Sequence, residues 1–198
     1  MRSVTPRDLA GHCPRCALKL EICICSVLPR VETRTKIVLV RHVTELLSTS
    51  NTGRFAALSL PNSEVLGYGG GASFDTSPLS EPGTALLYCS GPPRTLTVVP
   101  TRLIVLDGSF RQARRMYKRL PALRLLPELT LPAPRVTPTR LRQPTQPDGM
   151  STIEAIAAAL SLLEGPEVAS PLWEVHAELV RRADFMRGRK RAIVTAGP

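Results

Sequence analysis

A chain of 198 residues, 43% of them hydrophobic, can bury one core and carry a small appendage. Its formal net charge is +10, and 22 of its 26 basic residues are arginine, so an acidic macromolecule such as nucleic acid is the natural partner, because arginine forks onto phosphate and stacks on bases. No apolar run approaches the ~20 residues of a membrane span, the start Met1 to Asp8 has no apolar signal region, and G-x-x-x-x-G-K-[ST] is absent; we expect no membrane association, a cytoplasmic location, and no P-loop ATP hydrolysis.

In chain order, the first feature is Cys13, Cys16, Cys23 and Cys25, spaced C-x2-C-x6-C-x-C. Disulfides are rare in the cytoplasm, and residues 1–35 have too few apolar side chains for a core of their own. Four thiolates suit a structural, tetrahedral zinc, which would organise this module. Free or regulatory thiols are the alternative reading. His12 is not expected to be a ligand.

Lys36 to Val40 reads as a buried strand with Arg41 and His42 at its end. Asn51-Thr52-Gly53-Arg54 introduces a short helix, Phe55 to Leu60, stopped by Pro61. Gly67 to Ala72 fits G-x-G-x-x-A, but Ser73 to Pro78 is poor helix material, so a dinucleotide loop is not expected. Thr84 to Cys89 and Arg102 to Leu106 are two further strands, with Cys89 a buried small hydrophobe. Asp107 then lands at a strand end, where open α/β sheets place their ligands. Ser109 and Gln112 form an S-x-x-Q capping box, which predicts a helix from Phe110 to Arg119. Between Arg102 and Arg142 stand ten basic residues and two acids, an electrostatic footprint for RNA. Leu131 to Pro147 holds five prolines and reads as a long irregular segment of functional kind. Ser151 and Glu154 repeat the capping box and open the helix Ile153 to Leu163; a last helix covers Leu172 to Met186. His176 has no assigned role. The alternation of strands and helices predicts an α/β fold with a largely parallel sheet over 36–187, followed by a basic tail at 188–198.

Four blocks together resemble the DTW-domain family, the tRNA-uridine aminocarboxypropyltransferases. They are the cysteine cluster; Arg41-His42-x-x-Glu45 with Asn51-Thr52-Gly53-Arg54; Asp107-Gly108-Ser109-Phe110 followed by Gln112-Ala113-Arg114 and Met116; and Arg140-x-Arg142 with Ser151-Thr152-Ile153-Glu154-Ala155. One departure stands out: Ser109 and Phe110 occupy the places of the family's Thr and Trp. Serine keeps the hydroxyl, whereas phenylalanine keeps an aromatic face and loses the indole N–H.

The resemblance implies transfer of the 3-amino-3-carboxypropyl group of S-adenosylmethionine to N3 of a tRNA uridine, with release of methylthioadenosine. It also implies a SPOUT-like sheet with helices on both faces and a C-terminal trefoil knot, in monomeric or homodimeric form. Asp107 would be the catalytic residue, as general base for N3 or as a ligand of the cofactor's amino group or of the uracil N3–H; complementing the helix start is the third possibility. Asp107, Ser109, Phe110, Ser151, Thr152 and Glu154 would bind the cofactor, although the capping boxes account for Ser109, Ser151 and Glu154 by themselves. Arg41, His42, Asn51, Thr52, Arg54, Arg114, Arg140 and Arg142 would contact substrate and RNA. A SPOUT-like RNA methyltransferase and a zinc-stabilised RNA-binding protein without catalysis are the competing readings.

Overall fold

The apolar runs form the middle of a single sheet in the computed structural model, which describes residues 10–46, 48–71, 73–88, 96, 98–132 and 149–188. Five strands, β1 (Lys36–His42), β2 (Ser63–Tyr68), β3 (Thr84–Leu87), β4 (Arg102–Asp107) and β5 (Glu128–Leu129), lie in the order β2-β1-β4-β3-β5. Every pairing is parallel. Parallel strands need crossovers and both faces covered, which explains the near-continuous burial of β1, β3 and β4.

Alternation of side chains sorts each strand between two apolar layers. Ile37, Leu39, Leu103 and Val105 face a core shared with α1 (Thr52–Ser59), α3 (Thr152–Glu164) and α4 (Pro166–Met186). Val38, Val40, Leu86 and Ile104 face a smaller core with Met116 of α2 (Phe110–Arg119) and with Leu120 and Leu123 beyond it. The α/β class, the parallel sheet and the helices on both faces thus agree with expectation. The described part of the cysteine module packs Cys16, Ile24 and Val31 into the larger core. No helix among the described residues is long and apolar enough to cross a membrane.

Several boundaries differ from those expected. β1 continues through Arg41 and His42, because pairing with both β2 and β4 holds these residues in register. α1 starts at Thr52, capped by Asn51. β2 and β5 carry little apolar signal, being an edge strand and a two-residue strand, so the sequence pattern does not mark them. α4 begins at Pro166, six residues before the expected Leu172: Pro166 suits the first helical position, and Pro171 lies inside the helix without ending it. After Gly67 and Tyr68 close β2, no helix follows; the next element is a 3-10 turn at Ser77–Leu79. Cys89, most of the Leu131 to Pro147 segment with Arg140 and Arg142, and the basic tail beyond Gly188 lie outside the described residues, as does the chain on which a trefoil crossing would depend.

Leu39 sits in the central strand with no exposed surface. Leu39→Ala is expected to lower the unfolding free energy by about 2–5 kcal/mol in urea denaturation. A loss well under 1 kcal/mol would contradict a close-packed sheet core.

Candidate functional site

The site is built where β1 and β4 end side by side. Their register sets Arg41 opposite Asp107 at the carboxyl edge of the sheet. Asp107 is fully buried, and a buried carboxylate is tolerated only when paired and hydrogen-bonded. Arg41 Nε donates to its Oδ2 at 2.6 Å. Asn51 Nδ2 donates to Oδ1 at 3.0 Å and Oδ2 at 3.1 Å. Thr152 Oγ1 donates to Oδ1 at 2.9 Å. One carboxylate therefore gathers a strand, the cap of α1 and the first residue of α3.

Asn51 works in two directions, since its Oδ1 also accepts from Arg54 N–H at 2.8 Å as the cap of α1. Thr52 Oγ1 accepts from Ile153 N–H at 3.4 Å, a second tie between α1 and α3. Gly53 lies against the acid: a Cβ there would fall 2.5 to 2.6 Å from the Asp107 carboxylate atoms. Only glycine allows this approach without displacing the charge.

Two donors in this region have no hydrogen-bond partner among the described residues. Nη2 of Arg41 is buried and unpaired, beside the Nε that holds Asp107. Ser151 Oγ is buried as well and makes no well-formed hydrogen bond among the described residues; it faces the Glu154 N–H in the capping-box arrangement, whose other half is closed by Oε2 accepting from Ser151 N–H at 2.8 Å. Unsatisfied buried donors are costly, so their presence together at a strand-end site points to a polar ligand. Glu154 is itself buried, with His176 Nε2 3.6 Å away.

The other expected site residues are distributed around this centre. Ser109 caps α2 in a closed box with Gln112, and Phe110 leaves 52% of its surface exposed in the first turn. Gln112 Nε2 reaches across to Thr44 Oγ1 at 2.6 Å and to His42 Nδ1 at 3.3 Å, joining α2 to the end of β1. Burial pushes the His42 pKa below its ordinary value, with Glu45 opposing and Arg115 reinforcing the shift. Arg114 is exposed on α2. Arg54 points back into the protein: Nη2 donates to Leu46 O at 2.6 Å and Nη1 to Cys16 O at 3.2 Å. Thr44 and Gln112 as a bridging pair escaped the sequence reading, because only the tertiary approach of α2 to β1 joins them.

The four cysteine sulfurs lie within 4.8 Å of one another and could hold a metal ion. Cys13 and Cys25 are 3.7 Å apart at sulfur, as are Cys16 and Cys23. Sulfurs ~2.3 Å from a tetrahedral zinc would be separated by roughly 3.8 Å, so the cluster fits that ion, and all four cysteines are free thiols. The backbone N–H of Cys16 lowers the Cys13 pKa to about 6, whereas burial raises those of Cys16 and Cys25. Arg54 from α1 and Arg182 from α4 grip the module through the carbonyls of Cys16 and Cys23.

A family model described as the DTW domain matches residues 10–183. A curated protein of Drosophila melanogaster, "tRNA-uridine aminocarboxypropyltransferase 2", is 29% identical over 187 residues, covering 86% of this chain and 74% of the fly protein. A protein of the same name from Macaca fascicularis is 24% identical over 176 residues, covering 81% of this chain and 59% of its own length. No solved structure matches the chain significantly.

Gly53→Ala is expected to cost about 1–3 kcal/mol of stability, read by urea denaturation, because its Cβ must displace the Asp107 carboxylate. Unchanged stability would show that the approach is not constrained. Metal analysis of the purified chain is expected to return about one zinc per chain, lost with partial unfolding on strong chelation. A metal-free, fully folded protein would refute the zinc assignment.

Proposed function

The chain belongs to the DTW-domain family, and on that premise we propose that it is a tRNA-uridine aminocarboxypropyltransferase using S-adenosylmethionine. The names of the fly and macaque relatives support the reaction class. The observation that carries the reading to this site is the buried, unpaired Arg41 Nη2 beside the Asp107 ion pair. A guanidinium edge held in place by a buried acid is a ready receptor for a carboxylate, and the transferred group carries one.

When bound, S-adenosylmethionine would supply an electrophilic carbon next to its sulfonium for attack by uridine N3, with methylthioadenosine as the leaving group and the N3 proton passing to solvent. The protein's contribution is orientation, because the choice among three activated carbons depends on which one faces the nucleophile. Arg41 holds the aminocarboxypropyl carboxylate, and Ser151 Oγ supplies a further polar contact. Asp107 is a positioning residue: with both oxygens engaged by Arg41, Asn51 and Thr152, it fixes the groups that surround the donor. Phe110 offers an exposed aromatic face in the first turn of α2, able to stack with a base. Arg114, Arg140 and Arg142 add charge for the tRNA backbone. We further place the sheet in the SPOUT class with a trefoil crossing near Ser151; the all-parallel order β2-β1-β4-β3-β5 supports this assignment. The four cysteines hold a structural zinc that fastens the N-terminal module to α1 and α4.

Incubation of the protein with S-adenosylmethionine and total tRNA, followed by nucleoside mass spectrometry, is expected to yield 3-(3-amino-3-carboxypropyl)uridine and one methylthioadenosine per nucleoside formed. S-adenosylhomocysteine in its place would mark methyl transfer and overturn the proposal. Arg41→Lys preserves a charge for Asp107 and removes the second nitrogen, so kcat/KM for the donor should fall about tenfold or more with little change in Tm.

A further inference from the structure

A second concavity lies beside the Asp107 site, on the far side of His42. It has a volume of about 460 Å³, within the usual range for a small-molecule or nucleotide pocket. The ends of β1 and β2, the glycine loop after β2 and one side of α2 enclose it. None of the residues described as site residues above, His42 excepted, belongs to it.

Its chemistry has two halves. Tyr68 and Phe74 stand edge to face with ring centres 5.5 Å apart, and the His42 ring lies 6.3 Å from Tyr68. Opposite them, Arg115 and Arg119 sit one turn apart on α2, both exposed. Arg111, also exposed, continues the stripe at the same four-residue spacing. Among the described residues no carboxylate lines the cavity, so its wall is cationic and suits an anion better than a sulfonium cation. The floor is Gly69-Gly70-Gly71, with φ of +103°, +82° and +92°. Side chains are strained in this conformation, and a Cβ on Gly69 would press on Val43 at 3.2 Å, so the loop stays bare and a flat ring can approach the backbone.

We propose that this cavity holds one unpaired nucleotide of the acceptor RNA, with its base against Tyr68 and Phe74 and its phosphates on the Arg111, Arg115 and Arg119 stripe. The inference rests on the RNA-modifying reading above and adds a recognition subsite to it. Aromatic faces beside a guanidinium track are the general means of binding single-stranded nucleic acid, since every base has a π-face and every linkage a negative charge. The glycine run that resembles a dinucleotide fingerprint thus has a use without a following helix.

The test uses the full chain and total tRNA. Zero-length ultraviolet crosslinking with peptide mass spectrometry is expected to place a nucleotide adduct on Tyr68 or Phe74. The exposed double variant R115S/R119S should bind tRNA about tenfold more weakly near 0.1 M salt, and its log-affinity against log-salt slope should fall by about one to two units. Phe74→Leu should weaken binding about fivefold or more and leave the slope unchanged. Calorimetry with S-adenosylmethionine should be unaffected by either. Crosslinks confined to other peptides, with both variants binding like the parent, would overturn the proposal; so would a loss of S-adenosylmethionine affinity with tRNA affinity intact, which would make this the cofactor's cavity. Modified uridine formed without an adduct here refutes the subsite and keeps the transferase, whereas an adduct here without modified uridine keeps the subsite and refutes the transferase.

Discussion

The fully buried Asp107 carboxylate, paired with Arg41 at 2.6 Å, is the constraint on which the rest of the site depends. A negative charge without solvent must find donors, and here they come from three separate pieces of chain. The same demand that makes the carboxylate expensive in isolation makes it an organiser. Arg41, Asn51 and Thr152 cannot drift independently while they share it, so β1, α1 and α3 meet at a defined place at the carboxyl edge of the sheet.

Local features are shaped around that pairing. Asn51 divides its amide between the cap of α1 and the acid, and Gly53 lets the helix start come within a methyl's width of the carboxylate. Arg41 gives one nitrogen to Asp107 and has another that is buried and without a partner among the described residues, which leaves a donor beside the ion pair. The cysteine module is bound into this arrangement from the opposite side. Arg54, in the first turn of α1, holds the Cys16 carbonyl, and Arg182 of α4 holds that of Cys23. A metal in the cluster would therefore stiffen the helices that carry the site's donors.

The two capping boxes were legible because their signal is local. Ser109 with Gln112 and Ser151 with Glu154 stand three residues apart, and α2 runs over the predicted residues while α3 differs from its prediction by one residue at each end. The cysteine cluster was legible for the same reason: close ligand spacing brings the sulfurs together with little help from the rest of the chain. Arg54 shows the opposite case. Its place beside Asn51-Thr52-Gly53 marked it for an anionic partner, yet its guanidinium turns to the carbonyls of Leu46 and Cys16. The direction of a long side chain depends on which carbonyls the fold leaves unsatisfied around it, and no spacing encodes that.

By itself, the sequence determined the α/β alternation, the helix starts, the metal-binding spacing and the placing of an acid at a strand end, since each follows from periodicity or from contacts within a few residues. Only the tertiary structure decided what Asp107 touches, that Arg41 Nη2 meets no partner among the described residues, that Gln112 bridges to Thr44, and that Tyr68, Phe74, Arg115 and Arg119 line one cavity. These are meetings between residues far apart along the chain. The order of parallel strands and the register of β1 against β4 create them, and long-range pairing of that kind leaves no periodic trace in either partner alone.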